Sequence, residues 1–277
     1  MIPKNISYEE NNAFISFDSS VDGLVFDDSK HKNYPIRYYN VINGQGVSIK
    51  PNCSYYGYVY EGALHIKNEK TPQTNLVEGM YFSMEAPFKI QSYTTSKLIL
   101  IEVLHTKGIY PETKFRAMTT IGGPIEDAGR LKYIDGCTDS LLIPPVKRGD
   151  PCFNHLNFPK NIDQTQHTHP SHRIGLVAKG NGRCITPFGI LPLVKGMIFV
   201  IKEWDKTTYN KGLDGKDYPN GQHSFETTDE GMDVIAFHPD SDFGATDINH
   251  PMINRTLVKN EKGELVSAGT IESIRTK

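Results

Sequence analysis

The chain has 277 residues, with 30 Lys plus Arg against 32 Asp plus Glu for a net charge of −2, and 38% hydrophobic residues. This balance excludes a mainly disordered chain, which would be poor in apolar residues and rich in charge, and it lacks the basic excess that binding to nucleic-acid backbones requires. The length allows one large domain or two modest ones.

No run approaches the roughly 18 to 20 apolar residues needed to cross a bilayer, and the opening MIPKNISYEENN lacks the apolar core of a secretory signal. The expectation is a cytoplasmic protein with no membrane and no nucleic-acid partner. Cys53, Cys137, Cys152 and Cys184 form no CxxC pair. They read as small buried hydrophobes rather than disulfides or thiolate ligands.

Residues 1–35 read as an N-terminal arm. From 36 to 110, short runs rich in Val, Ile, Tyr and Phe alternate with Gly, Pro and Asn, as in YYNVINGQGVSIKPN, YYGYVYEGALHIKN and KLILIEVL. That texture predicts an all-β barrel or sandwich. Residues 111–140 read as a connection. The same texture returns from 141 to 245, in RIGLVAKGNGRCI, GMIFVIKEW and GMDVIAFHPD, and 246–277 form a tail in which Asp247 and His250 sit three apart.

The two β halves look like copies. An offset of 118 puts Tyr58-Val59-Tyr60-Glu61-Gly62 on Leu176-Val177-Ala178-Lys179-Gly180, and 117 puts Val77-Glu78-Gly79-Met80 on Val194-Lys195-Gly196-Met197. Further on, an offset of 132 or 133 puts Ser92-Tyr93-Thr94-Thr95 on Ser224-Phe225-Glu226-Thr227 and Leu104-His105 on Phe237-His238. The extra residues of the second copy fall in the polar stretch from Asp205 to Gly221, which reads as a long loop beside a site.

Three histidines crowd into Gln166-His167-Thr168-His169-Pro170-Ser171-His172-Arg173. On a strand, His167 and His169 would face the same way, their Cα atoms ~7 Å apart, close enough for both rings to reach one metal ion. Pro170 then ends the ladder, and the strand and glycine turn Arg173-Ile174-Gly175-Leu176-Val177-Ala178-Lys179-Gly180 follow. A lone histidine comes at 223.

This order resembles the cupin family, and its recurrence over both halves makes the chain look like a bicupin: two tandem double-stranded β-helix barrels. The resemblance implies a metal site in the second barrel, held by His167, His169 and His223. The family's fourth ligand, Glu or Gln, would fall on Arg173, whose guanidinium stays protonated and cannot ligate a cation. The site then looks like the three-histidine variant of some dioxygenases, unless His172 swings in as a fourth ligand. The first-half equivalents, Ile49, Pro51 and Gln91, are no ligand set, so the first barrel is expected to be metal-free.

The cofactor expected is one divalent transition metal ion, with Fe2+ favoured and Zn, Mn, Ni or Cu also suited to neutral imidazole. Arg173 would orient a small anionic substrate; alternatively it pairs with an acid at the barrel rim. Tyr209 is a candidate lid residue and Glu226 a candidate base, while His238, matched with His105 of the metal-free half, reads as structural. Three functions follow: a mononuclear non-haem oxygenase, a redox-neutral isomerase, lyase or hydrolase of a sugar acid or ureido compound, or a non-catalytic ligand-binding protein. A homodimer is expected from unpaired strand edges.

Overall fold

The computed structural model describes residues 1–3, 6–68, 72–104, 117–146, 149–240, 257–259, 262 and 264–267. Apart from a single 3-10 turn at Ile134–Gly136, every regular element among them is a β-strand. The strands form two large antiparallel sheets, and two further pairs of short strands each form a two-stranded sheet of their own. The all-β expectation is met.

Each large sheet is organised by one long strand that serves two sets of partners. In the second half, the start of Arg173–Thr186 pairs with Ile198–Ile201 and Met232–His238, and its end pairs with Gly189–Val194 and Ser224–Glu226. In the first half, Cys53–Asn68 pairs with Tyr81–Glu85 and Thr74–Val77 on one side and with the whole of Phe88–Leu104 on the other.

Strand alternation sends successive side chains to opposite faces, and here both faces are buried. Ile174, Leu176 and Ala178 pack in one apolar cluster with Tyr56, Tyr58 and Tyr60 of the first sheet. Val177 points the other way, into a second cluster with Phe199 and Leu193. Tyr55 and Val59 likewise enter a third, with Phe82 and Leu100. The core therefore has three layers: one barrel interior, the joint between the barrels, and the other interior. At the joint, the Tyr38 hydroxyl donates to the Gly175 carbonyl at 2.9 Å, which satisfies two polar groups in an otherwise apolar layer.

Glycine marks the repeat at two places. A Cβ on Gly57 would stand 2.4 Å from the Phe82 ring, and one on Gly175 would stand 2.1 Å from the Phe199 ring. Gly62 and Gly180 have φ of +71° and +68°, and a Cβ there would come within 1.9 and 1.8 Å of a backbone carbonyl oxygen.

Pairing refines the repeat beyond these anchors. With Gly62 matched to Gly180, Ile66 matches Cys184; their partners are Ile90 and Phe225, so the residue standing where the second half has His223 is Phe88, not Gln91. By the same logic Gly57 and Gly175 face Leu100 and Ala236, which matches His238 with Glu102 rather than His105. Similarity of type misled the alignment because the return strand is continuous in the first half, Phe88–Leu104, but split into Ser224–Glu226 and Met232–His238 in the second. His105 itself lies outside the described residues.

The stretch 1–35 is woven into both sheets. Phe14–Phe17 pairs with Ile198–Ile201 of the second sheet, whereas Gly23–Asp28 pairs with Ile36–Ile42 of the first. Within 111–140, Thr120–Gly122 pairs with Tyr81–Glu85 of the first sheet, and Leu131–Lys132 pairs with Thr138–Ile143 at the end of the second. Residues 242–277 form a separate unit in which Leu257–Lys259 and Leu265–Ser267 pair as a hairpin; Asp247 and His250 lie outside the described residues.

Gly180 yields a direct test. Gly180→Ala combines a positive φ with a backbone clash, and is expected to destabilise the protein by about 2 kcal/mol or more in chemical denaturation. A change under about 0.5 kcal/mol would show that the turn is not required in this form.

Candidate metal centre

His167 and His223 come from segments far apart in the chain but form an isolated antiparallel bridge. The His167 amide donates to the His223 carbonyl at 2.9 Å, and the His223 amide donates to the His167 carbonyl at 3.0 Å. His169 follows two residues on. The three ring centroids are 4.6 Å apart for 167 and 223, 5.0 Å for 167 and 169, and 5.3 Å for 169 and 223.

The stretch from Asp205 to Gly221, expected as a loop, contains a hairpin of Tyr209–Lys211 with Asp217–Pro219. Its two ends hold the histidines. The Trp204 amide donates to the His169 carbonyl at 2.9 Å, and Nδ1 of His223 lies 2.8 Å from the Gly221 carbonyl.

A carbonyl oxygen only accepts, so Nδ1 of His223 carries the proton and its lone pair is on Nε2. That Nε2 is buried and has no hydrogen-bond partner in the protein. His167 is fixed in the same tautomer by the Thr165 carbonyl, 2.9 Å from its Nδ1. Burial holds the His223 imidazole well below the ordinary histidine range, with His167 and the positive charge of Arg173 adding to the effect.

One ligand nitrogen from each of the three rings lies within 4.8 Å of the others. Two nitrogens on one ion stand at most ~4.2 Å apart, given metal–nitrogen bonds of about 2.1 Å, so a small inward shift closes the set. Three imidazoles with ligand nitrogens this close together fit a divalent transition metal. Among the described residues this is the one group of three or more His, Cys, Asp or Glu side chains so placed.

The histidines border a small cavity of about 20 Å3, room for about one water molecule. Its walls are mostly apolar, with Leu156, Phe158, Phe199 and Phe225 among them; Tyr133, Gln164, Arg173 and His238 add polar groups. Tyr133, Gln164 and His238 escaped the sequence reading. His238 had a signal, since it ends an alternating strand two residues beyond Ala236, but its false match to His105 hid it.

The other expected site residues lie elsewhere or are engaged. His172 faces out of the barrel, with Nδ1 3.3 Å from Asp28 Oδ2 and 3.8 Å from Glu203 Oε2. The fourth-ligand expectation is corrected: with Arg173 facing the cavity, strand alternation sends His172 away from it. Arg173 is 2% exposed, its Nη1 lies 2.9 Å from Asp240 Oδ1, and it also bonds the Ser171 hydroxyl. The alternative of an arginine paired with a rim acid is thus the one the structure contains. Tyr209 is 51% exposed and stands edge-on to Trp204. Glu226 pairs with Arg183 at 2.7 Å; neither it nor Tyr209 lines the cavity.

No protein-family model and no curated protein matches the sequence. Solved structures do match the fold. A Pseudomonas aeruginosa protein named for induction by glyoxylate superposes with a TM-score of 0.60 at 12% identity, over 88% of this chain and 94% of that one. Protein Ylba from E. coli gives 0.52 at 12% identity over 87% and 90%, and a cupin 2 conserved barrel domain protein from Leptotrichia buccalis gives 0.51 at 14% over 86% and 98%. The chain has the bicupin fold. In this two-barrel chain the histidine triad stands in the C-terminal barrel, and no helix among the described residues is long and apolar enough to cross a membrane.

Two predictions follow from this geometry. His223→Ala should lower metal affinity more than the roughly 10- to 100-fold typical of outer-sphere changes, while His172→Ala should leave metal content unchanged; metal analysis of both variants checks this, and loss in His172→Ala would reinstate a fourth ligand. In the metal-free protein, His223 stays neutral while the unfolded chain takes up a proton. Stability should therefore fall as pH drops below about 6.5. The pH slope should be smaller in His223→Gln, and equal slopes would contradict the burial account.

Proposed function

We propose that this bicupin is a mononuclear non-haem metal oxygenase, with iron favoured, acting on a small anionic metabolite. One observation carries the reading: among the described residues three imidazoles converge with no carboxylate in the set. Three protein ligands would leave about three positions on a six-coordinate ion, enough for a two-point substrate and dioxygen. Bound there, ferrous iron supplies electrons to dioxygen and open coordination positions to the substrate.

The protein's own part is to hold and to exclude. His167 and His223 present Nε2 lone pairs because backbone carbonyls occupy their Nδ1 protons, so neither of these two has to change tautomer on binding. Phe158, Phe199 and Phe225 give the site an apolar wall, beside which electrostatic interactions are stronger than in open water. Arg173 brings positive charge to the wall, with Asp240 fixing its guanidinium from behind. A metabolite exceeds the present cavity of about 20 Å3, so substrate entry would require part of its wall to move.

Oxygen uptake by the ferrous protein tests the proposal under a panel of small carboxylates and catechol-like compounds. Iron-dependent oxygen consumption with at least one of them is expected, weakened in Arg173→Ala through a raised KM. Tight zinc or manganese with turnover but no oxygen use would assign a redox-neutral lyase, isomerase or hydrolase instead.

A further inference from the structure

In the second barrel the edge of the return strand is occupied by residues 162–167. The Gln164 amide donates to the Phe225 carbonyl at 3.1 Å, the Thr227 amide donates to the Ile162 carbonyl at 2.9 Å, and His167 exchanges both backbone bonds with His223. At the offset of 118 that matches Gly180 with Gly62, the equivalent residues of the first half are 44–49, and the register matches His223 and Phe225 with Phe88 and Ile90. Here the two segments part. Gly44 still lies against the strand, where an added Cβ would stand 3.5 Å from the Ile90 carbonyl oxygen and 3.3 Å from the Ser92 nitrogen. No backbone hydrogen bond joins residues 44–49 to 88–92.

The parting leaves a cavity of about 730 Å3, lined by Val47 and Ile49 of the loop and by every residue from Pro87 to Gln91 of the strand. The amide and carbonyl of one residue in an antiparallel ladder point to the same side, so Phe88, in the register of His223, turns both toward the cleft. Side chains alternate across the strand. Phe88 and Ile90 pack on the core of the first barrel, which puts Lys89 on the other face. Lys89 stands directly opposite Lys67, which also lines the cavity. Both lysines are exposed, and no carboxylate among the described residues pairs with either. Like charges so placed repel.

We propose that this edge binds an extended peptide of about six residues, alternately apolar and acidic, as an added strand in the place that residues 162–167 fill in the second barrel. Its backbone bonds Phe88 and Ile90. Its apolar side chains lie on the face of Val47, Ile49, Phe88 and Ile90, and its acidic ones lie on the face of Lys67 and Lys89. The repeat supplies the backbone template, and the two lysines supply the charge preference.

Fluorescence anisotropy of the full-length protein with a dye-labelled hexapeptide of alternating valine and glutamate tests this. Saturable binding is expected, about ten-fold or more weaker in Lys89→Glu, and equally weakened when the valine amides of the peptide are N-methylated. Metal content should not change. Lys89→Glu gives Lys67 a partner of opposite charge, so the variant is expected to fold. No saturable binding, or equal binding of the N-methylated peptide, would overturn the proposal. A dimer in sedimentation that Lys89→Glu dissolves would assign the edge to a second copy of the chain and overturn it as well.

Discussion

Two backbone hydrogen bonds between His167 and His223, 2.9 and 3.0 Å long, decide where chemistry can sit in this protein. Cα atoms of a hydrogen-bonded antiparallel pair stand ~5.5 Å apart, so the bridge alone puts two imidazoles within reach of one ion. Everything nearby serves that bridge. The hairpin of residues 209–219 is anchored at one foot to His169 and at the other to His223, and the same foot fixes the His223 tautomer. The triad is thus held by backbone atoms, which few side-chain substitutions can disturb.

The two barrels show how one scaffold is made into a site or into a plug. Where the second has His223, the first has Phe88, whose ring packs 5.2 Å from Tyr55 and 6.0 Å from Phe82. Where the second has Arg173 the first has Tyr55, and where it has His238 the first has Glu102. Glu102 is fully buried, and it is tolerable there only because Arg37 pairs with it and Tyr39 and Tyr55 donate to it at 3.2 and 3.1 Å. A buried, paired carboxylate and an edge-to-face aromatic cluster thus occupy the positions that hold ligands and polar cavity wall in the sister barrel.

What was legible in the sequence is what short-range physics encodes. Alternating Val, Ile, Tyr and Phe revealed the strands, Gly62 and Gly180 revealed the copies through the backbone they require, and the HxH spacing with a distant third histidine revealed the triad. What stayed hidden depends on pairing between distant segments. Nothing local in Phe14–Phe17 says that it completes the second sheet while Gly23–Asp28 completes the first. The turn that splits the second return strand shifted the match for His238, and with it the view of that residue as a cavity wall. For Arg173 the sequence leaves open a place beside the site or a pairing with a rim acid, because its partner Asp240 lies 67 positions on in the chain, beyond any spacing rule.

X-ray absorption on the protein loaded with a single equivalent of Fe2+ or Co2+ reads the atoms around the ion directly. Three imidazole nitrogens at about 2.1 Å are expected, with the remaining positions filled by oxygen from water and no sulfur. Fewer than three imidazoles, or a shell built on thiolate, would contradict the three-histidine centre.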